Sequence, residues 1–85
     1  MSALLRWRNT FTACRKYAQY KRTGNPRILR EAEKLAHKVG EMDTEGKCPA
    51  MFLGKSALER EWASGRGPAF FYAWMVHKGR FEARA

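Results

Sequence analysis

Three breaks divide this chain of 85 residues into four segments with the spacing of α-helices. The breaks lie at residues 24–26, 43–55 and 65–68, and glycine and proline mark each of them. Between the breaks, apolar residues recur every three or four positions, which favours helices over strands. The sequence therefore predicts an all-α fold, a small helical hairpin plus two further short helices. This gives three to four helices in total, in a single domain spanning residues 1–85.

Residues 1–42 have the pattern of a basic helical hairpin. Asn25 suits the N-cap of the second helix and Pro26 suits its first turn, and so tight a connection favours antiparallel packing. On the first helix the predicted buried face is an apolar stripe: Leu4, Trp7, Phe11, Cys14 and Ala18. On the second helix the predicted buried face is Ile28, Ala32, Leu35, Ala36 and Val39.

Residues 43–55 are predicted as a loop whose apolar triplet, 51–53, packs back into the core. Residues 56–85 are predicted as a helix pair, which begins with Ser56 and Glu59 as a capping box. The last helix is apolar around most of its circumference, so we expect it to be enclosed on several sides. It is either the central helix of a compact bundle or the element that docks on a partner. The residues assigned to partner docking are Phe70, Phe71, Trp74 and Met75.

Basic residues concentrate at the N-terminal end of the sequence. The first 30 residues contain eight Lys or Arg and no Asp or Glu, in a chain whose formal net charge is +9. This asymmetry predicts an anionic partner, a targeting segment, or both. The predicted anion-binding residues, for RNA phosphate or lipid headgroups, are Arg6, Arg8, Arg15, Lys16 and Arg22.

Within that set, Arg8, Arg15 and Arg22 are seven residues apart, so they form one row that borders the apolar stripe of the first helix. We refer to them as the arginine row. Two interpretations stay open: the arginines lay their stems along a buried seam, or they contact phosphate. A helix-turn-helix DNA reader is disfavoured because the second helix carries several acids, which repel phosphates.

No pattern of catalytic or metal-binding residues stands out. The tripeptide at 54–56 is Gly-Lys-Ser, but Pro49 stands where a P-loop needs its first glycine. The candidate zinc ligands lie far from one another in sequence: Cys14, His37, Cys48 and His77. The sequence therefore predicts a non-catalytic protein without metal, cofactor or small-molecule substrate. Two cysteines in such a chain favour a reducing compartment.

The opening of the first helix contains Arg8, Phe11, Ala13 and the run Arg15-Lys16-Tyr17. With these residues it resembles the opening helix of the mitochondrial LYR-motif proteins. Arg6 and Trp7 stand where the motif has leucine and tyrosine. The resemblance implies a small helical subunit or assembly factor of a respiratory complex.

Two classes of function fit these observations. The first is a small basic accessory or structural subunit of a large multi-protein assembly, located in mitochondria as part of a respiratory-chain complex or a mitochondrial ribosome. The arginine-rich, acid-free N-terminal segment has the composition of a mitochondrial import sequence. The alternative is an autonomous nucleic-acid-binding module, such as a phage or bacterial regulator, that uses the arginine-rich first helix. We expect no transmembrane span and a location inside the cell, not a secreted protein.

Overall fold

The computed structural model describes residues 3–43 and 47–84, with side chains described up to Lys78. This part of the chain contains four α-helices and no strand, so the all-α prediction is confirmed. The elements are α1 (Ala3–Thr23), α2 (Pro26–Met42), a 3₁₀ turn (Ala50–Phe52), α3 (Ser56–Gly65) and α4 (Pro68–Arg84). Each helix begins and ends close to a break in the sequence.

A tight turn joins α1 to α2. Gly24 has a φ of 72°, a left-handed conformation that glycine adopts without steric cost. The side-chain Oδ1 of Asn25 accepts a hydrogen bond from the backbone N–H of Arg27 at 3.0 Å. This contact confirms Asn25 as the N-cap of α2, with Pro26 as its first residue. The turn folds α1 and α2 against each other as a hairpin.

The buried face of α1 differs from the predicted apolar stripe. The buried residues of α1 are Thr10 and Ala13. The first three residues of the predicted stripe, which we call the outer stripe, are exposed to 68 %, 55 % and 39 %: Leu4, Trp7 and Phe11 respectively. The reason is steric, since α2 presents Ala32 and Ala36 to the core and small residues opposite them allow close packing of the helices. The large residues of the outer stripe are left outside that seam.

The helices α2 and α3 cross with their backbones in contact. A Cβ atom added to Gly40 would lie 2.0 Å from the carbonyl oxygen of Trp62. A Cβ atom added to Gly65 would lie 2.1 Å from the carbonyl oxygen of His37. No side chain fits at such distances, so glycine at both positions is a steric requirement of this crossing.

The segment between α2 and α3 contributes one residue to the centre of the core. Phe52, in the 3₁₀ turn, is fully buried, whereas its neighbour Leu53 is 60 % exposed. Within the apolar triplet predicted to pack into the core, Phe52 is fully buried, Met51 is half-buried and Leu53 is exposed. With Trp62, Leu58 and Val39, Phe52 is one of the largest fully buried side chains.

The predicted capping box of Ser56 and Glu59 does not form, because Ser56 is the first residue of α3 and not its N-cap. Lys55 occupies the N-cap position and makes no side-chain cap hydrogen bond. Glu59 does reach back, because its Oε1 accepts a hydrogen bond from the backbone N–H of Gly54 at 3.3 Å. One Glu59 oxygen therefore supports the start of α3, and the other is free for a second contact.

That second contact attaches α4 to α3. Nζ of Lys78 lies 2.5 Å from Oε2 of Glu59. At the other end of the interface, the rings of Trp62 and Phe70 meet edge to face with centroids 5.4 Å apart. α3 covers one side of α4, while the opposite side carries exposed apolar residues: Tyr72, Met75 and Val76. The predicted enclosure on several sides is therefore not supplied by the described part of the chain.

Candidate anion-binding and docking surfaces

Arg6, one of the predicted anion-binding residues, contacts an acid within the protein. Its guanidinium forms a two-pronged ion pair with Asp43, in which Nε meets Oδ1 and Nη2 lies 3.1 Å from Oδ2. Nη2 also donates to the backbone carbonyl of Lys47 at 3.3 Å. Arg6 therefore holds α1 against the end of α2, and its guanidinium binds acceptors within the protein.

Asp43 is the centre of this buried polar cluster. Its side chain is 4 % exposed, and Oδ2 also accepts a hydrogen bond from Nε1 of Trp62 at 2.6 Å. One carboxylate thus connects α1, the C-terminal end of α2, and α3. The sequence gives no signal for this role, because an aspartate directly after a helix is typical of a solvated loop. We call this arrangement the Asp43 cluster.

Lys16 also has an intramolecular partner. Its Nζ lies 2.7 Å from Oε2 of Glu31 on α2. The hydrogen bond and the positive charge of Lys16 lower the pKa of the Glu31 carboxyl below its ordinary value. Both side chains remain partly exposed, so this is a surface ion pair beside the hairpin seam.

The arginine row faces solvent. Arg8, Arg15 and Arg22 are all exposed, and no acid in the described part of the chain forms an ion pair with any of them. The outer stripe that the row borders is exposed as well, and Cys14 is the half-buried member of the predicted stripe. The structure therefore offers no buried seam for the arginine stems at this edge, and the guanidinium groups are available to an external anion.

A groove lies on the C-terminal half of α1. Its volume is about 280 Å³, and α1 alone supplies its lining: Thr12, Arg15, Lys16, Gln19 and Arg22. Three of the predicted anion-binding residues thus share one concave surface. Long cationic side chains and an amide around a groove are suited to phosphate or carboxylate oxygens.

The N-terminal half of the same helix carries flat aromatic surface. The rings of Trp7 and Phe11 are stacked, with centroids 5.2 Å apart and planes 9° from parallel. Arg8 lies next to them in sequence, at the start of the arginine row. The exposed side of α1 therefore combines an aromatic platform at one end with a cationic groove at the other.

The predicted docking residues on α4 divide between two sides of the helix. Phe70, Phe71 and Trp74 are half-buried and pack against the core, whereas Met75 is 46 % exposed. Tyr72 and Val76, exposed to 73 % and 38 %, lie on the solvent side with Met75. We call these three residues the α4 outer face, and sequence reasoning missed two of them because an evenly apolar helix does not reveal which side is covered.

The two cysteines are free thiols in half-buried positions. Sγ of Cys14 donates to the carbonyl oxygen of Met51 at 3.4 Å, and burial raises the pKa of this thiol. Burial, together with the negative charges of Glu59 and Asp43, raises the pKa of Cys48 to about 11. A thiol with so high a pKa is a poor nucleophile at neutral pH.

No metal centre is found within the described residues, where no three Asp, Glu, His or Cys side chains are grouped so as to hold an ion. His37 lies between two carboxylates, with Nε2 3.1 Å from Glu41 and Nδ1 3.6 Å from Glu61. These contacts place it at the edge of the interface between α2 and α3. Over the same part of the chain, no helix has the length and apolar content needed to cross a bilayer.

Comparison of the chain with protein-family models, with curated proteins and with solved structures finds no match. The short resemblance to LYR-motif proteins therefore has no support from a family match and carries no further argument. The interpretation of function rests on the two exposed surfaces described above.

Proposed function

We propose that this chain is a non-catalytic accessory subunit of a larger assembly. The observation that carries the proposal is the outer stripe, which leaves three large apolar side chains in solvent on one helix. The α4 outer face adds a second exposed apolar surface. Clustered exposed apolar residues are typical of surfaces that bind a partner. A domain of this size reaches full burial of such residues by docking.

Within this class we propose a mitochondrial assembly, either a respiratory-chain complex or a mitochondrial ribosome. The support is the composition of α1, which contains six Lys or Arg and no acid. A basic amphipathic segment of this kind matches the chemistry of mitochondrial import sequences. The location is tested by fractionation of cells that express a C-terminally tagged chain.

A second candidate function is an autonomous nucleic-acid-binding module. The specific observation that favours it is the groove lined by Arg15, Lys16 and Arg22. Such a module needs no larger assembly, because the cationic side chains act on phosphate directly. The two candidates differ in what the protein does in a cell lysate.

The experiment that separates them is sedimentation of the tagged chain from a lysate prepared in gentle detergent, with and without nuclease. A heavy position supports the accessory subunit, and its loss on nuclease treatment identifies the assembly as a ribonucleoprotein. Migration as a free small protein in both samples contradicts the accessory-subunit proposal and favours the autonomous module.

A matched pair of variants tests the docking surface directly. The triple substitution of the α4 outer face, Tyr72→Ser with Met75→Ser and Val76→Ser, should move the chain to light fractions. The control is Lys34→Ser with Lys38→Ser, at exposed positions on α2. The control should sediment like the unmodified chain, and equal loss in both would argue against α4 as a docking element.

A further inference from the structure

We propose that the exposed side of α1 binds a single strand of RNA, with bases stacked on Trp7 and Phe11 and phosphates held by the arginine row. The inference deepens the proposed function, on which it rests for the existence of a binding partner, and it assigns that partner a chemical class. It combines the aromatic platform and the cationic groove, which lie on consecutive turns of one helix.

The base-binding end is the platform of Trp7 and Phe11. The two rings are stacked on each other with planes 9° from parallel, so each ring covers one face of its partner and leaves its outer face for a base. Trp7 is 55 % exposed, so a large part of its indole is open to a ligand. Nucleic-acid bases stack on exposed aromatic rings with little sequence preference, because every base has a π face.

The phosphate-binding end is the arginine row. Its members are seven residues apart, and a rise of about 1.5 Å per residue places successive Cα atoms roughly 10 Å apart along the helix. The row therefore runs along about four turns of helix, next to the platform at one end and through the groove at the other. This placement suits an extended polyanion better than a single small anion.

The electrostatic environment also favours a polyanion on this side. α1 contains no acid, and two of its basic residues pair with acids from outside the helix: Arg6 with Asp43, and Lys16 with Glu31 at 2.7 Å. Among the described residues, Glu31 is the carboxylate paired with a groove residue, and Lys16 neutralises it. Gln19 adds a neutral amide donor to the groove, which can reach sugar or base oxygens.

Single-stranded RNA fits better than the other anionic partners. In a duplex the base faces are stacked inside, so the platform would have no ligand. A helix that lies on a lipid surface presents an apolar face along its length. In α1 the large exposed apolar residues all precede Thr12, and the second half presents the polar groove.

The test uses the purified full chain and a fluorescently labelled oligouridylate, with anisotropy measured over a series of salt concentrations. Arg8→Gln with Arg15→Gln and Arg22→Gln should weaken binding at least tenfold. It should also reduce the slope of log K against log salt by about 2, since each phosphate contact on a single strand contributes about 0.7. The matched control is Arg27→Gln with Arg30→Gln and Lys38→Gln, which removes three exposed positive charges from α2. A smaller loss of RNA affinity in the control than in the α1 variant supports phosphate binding by the arginine row. An equal loss of affinity in both variants overturns it.

A second variant pair separates stacking from general apolar contact. Trp7→Leu with Phe11→Leu keeps an apolar side chain at both positions and removes the aromatic faces, so it should weaken RNA binding about tenfold and leave the salt slope unchanged. Unchanged affinity overturns the platform. Circular dichroism of each variant checks that the helices are retained. If the triple arginine variant unfolds, the single variant Arg15→Gln is measured in its place.

Vesicles of phosphatidylglycerol and an acidic peptide are the competing ligands. Binding to either that exceeds binding to the oligouridylate overturns the RNA proposal. If the chain prefers vesicles or peptide and also keeps a heavy, nuclease-resistant position in the lysate, the RNA proposal fails and the accessory-subunit proposal stands. If the chain binds RNA tightly but sediments as a free small protein, the RNA proposal stands and the accessory-subunit proposal fails.

Discussion

The crossing of α2 and α3 and the exposed side of α1 are built in opposite ways. At the crossing, Gly40 and Gly65 bring two backbones into contact, and the nearby carboxylate of Asp43 accepts hydrogen bonds from Arg6 and Trp62. On α1, large aromatic and cationic side chains project into solvent, and the arginine row has no acid partner among the described residues. In the first region the side chains contact other parts of the protein, whereas in the second they remain exposed to solvent and to ligands.

This difference separates side chains that stabilise the fold from side chains that are exposed and to which we assign binding. A change at the crossing alters contacts that exist in the isolated chain. A change on the exposed side of α1 alters side chains that make few contacts in the isolated chain and that would contact the proposed ligand. The two regions should therefore respond to substitution in separable ways, and each prediction below tests that separation.

The largest effect is expected at the crossing. Gly40→Val places a side chain on the carbonyl of Trp62, so the helices must separate and the free energy of unfolding should fall by about 3 kcal/mol or more. Urea unfolding followed by circular dichroism measures the change. Lys38→Ala, at an exposed position on the same helix, is the control and should stay within about 0.5 kcal/mol. A mild effect of Gly40→Val would mean that the crossing is loose.

The next effect is expected in the Asp43 cluster. Asp43→Ala leaves the guanidinium of Arg6 and the indole N–H of Trp62 without their acceptor, so we expect a loss of about 2 kcal/mol. Trp62→Phe removes one donor together with buried indole volume, so its cost also includes a cavity in the core. The measurement is the shift of the urea midpoint at constant slope. Equal stability of the Asp43→Ala variant would show that the carboxylate does not join the three helices.

A small effect is expected on the exposed side of α1. Trp7→Leu with Phe11→Leu removes one exposed stacked pair, so thermal unfolding should report a loss below about 1 kcal/mol. The same change at a fully buried ring, Phe52→Leu, should cost more, about 1–2 kcal/mol. If the α1 variant were the less stable of the two, the outer stripe would belong to the core and the contrast between the regions would fail.

The smallest effect concerns the pH dependence of the surface ion pair. Lys16 lowers the pKa of Glu31 in the folded chain, so the pair stabilises the protein above the unfolded pKa of that carboxyl. This contribution is lost as the pH falls through the lowered, folded pKa. Glu31→Gln should therefore flatten the acid limb of stability against pH. The matched control is Glu33→Gln, since burial and Glu61 raise the pKa of Glu33 and the sign of its contribution is opposite.

The helices themselves could be predicted because their signals are local. Asn25 and Pro26 mark the start of α2 through cap chemistry that involves neighbours in sequence. The buried residues of α2, such as Ala32 and Val39, follow the predicted spacing. The position of the arginine row beside the apolar stripe could also be predicted, because it follows from the residue spacing of a helix.

The contacts between helices could not be predicted in the same way. The apolar stripe of α1 is the more hydrophobic side, yet Thr10 and Ala13 are buried because the facing helix is lined with alanine. Asp43 gives no local sign that Arg6 and Trp62, 37 and 19 residues away, converge on it. Gly65 looks like a helix terminator and is also one half of a backbone contact. Each of these depends on shape complementarity between segments, which periodicity does not encode.

The packing of each helix on its neighbour in the chain has a consequence for folding kinetics. α1 packs on α2, α2 on α3, and α3 on α4, so most of the native contacts close short loops. Chains with such local topology cross their folding barrier quickly, on microsecond to millisecond timescales. Because α1, α2 and α3 pack more extensively on one another than α4 packs on α3, they can complete the Asp43 cluster before α4 docks. The last helix would then dock onto a template that has already formed.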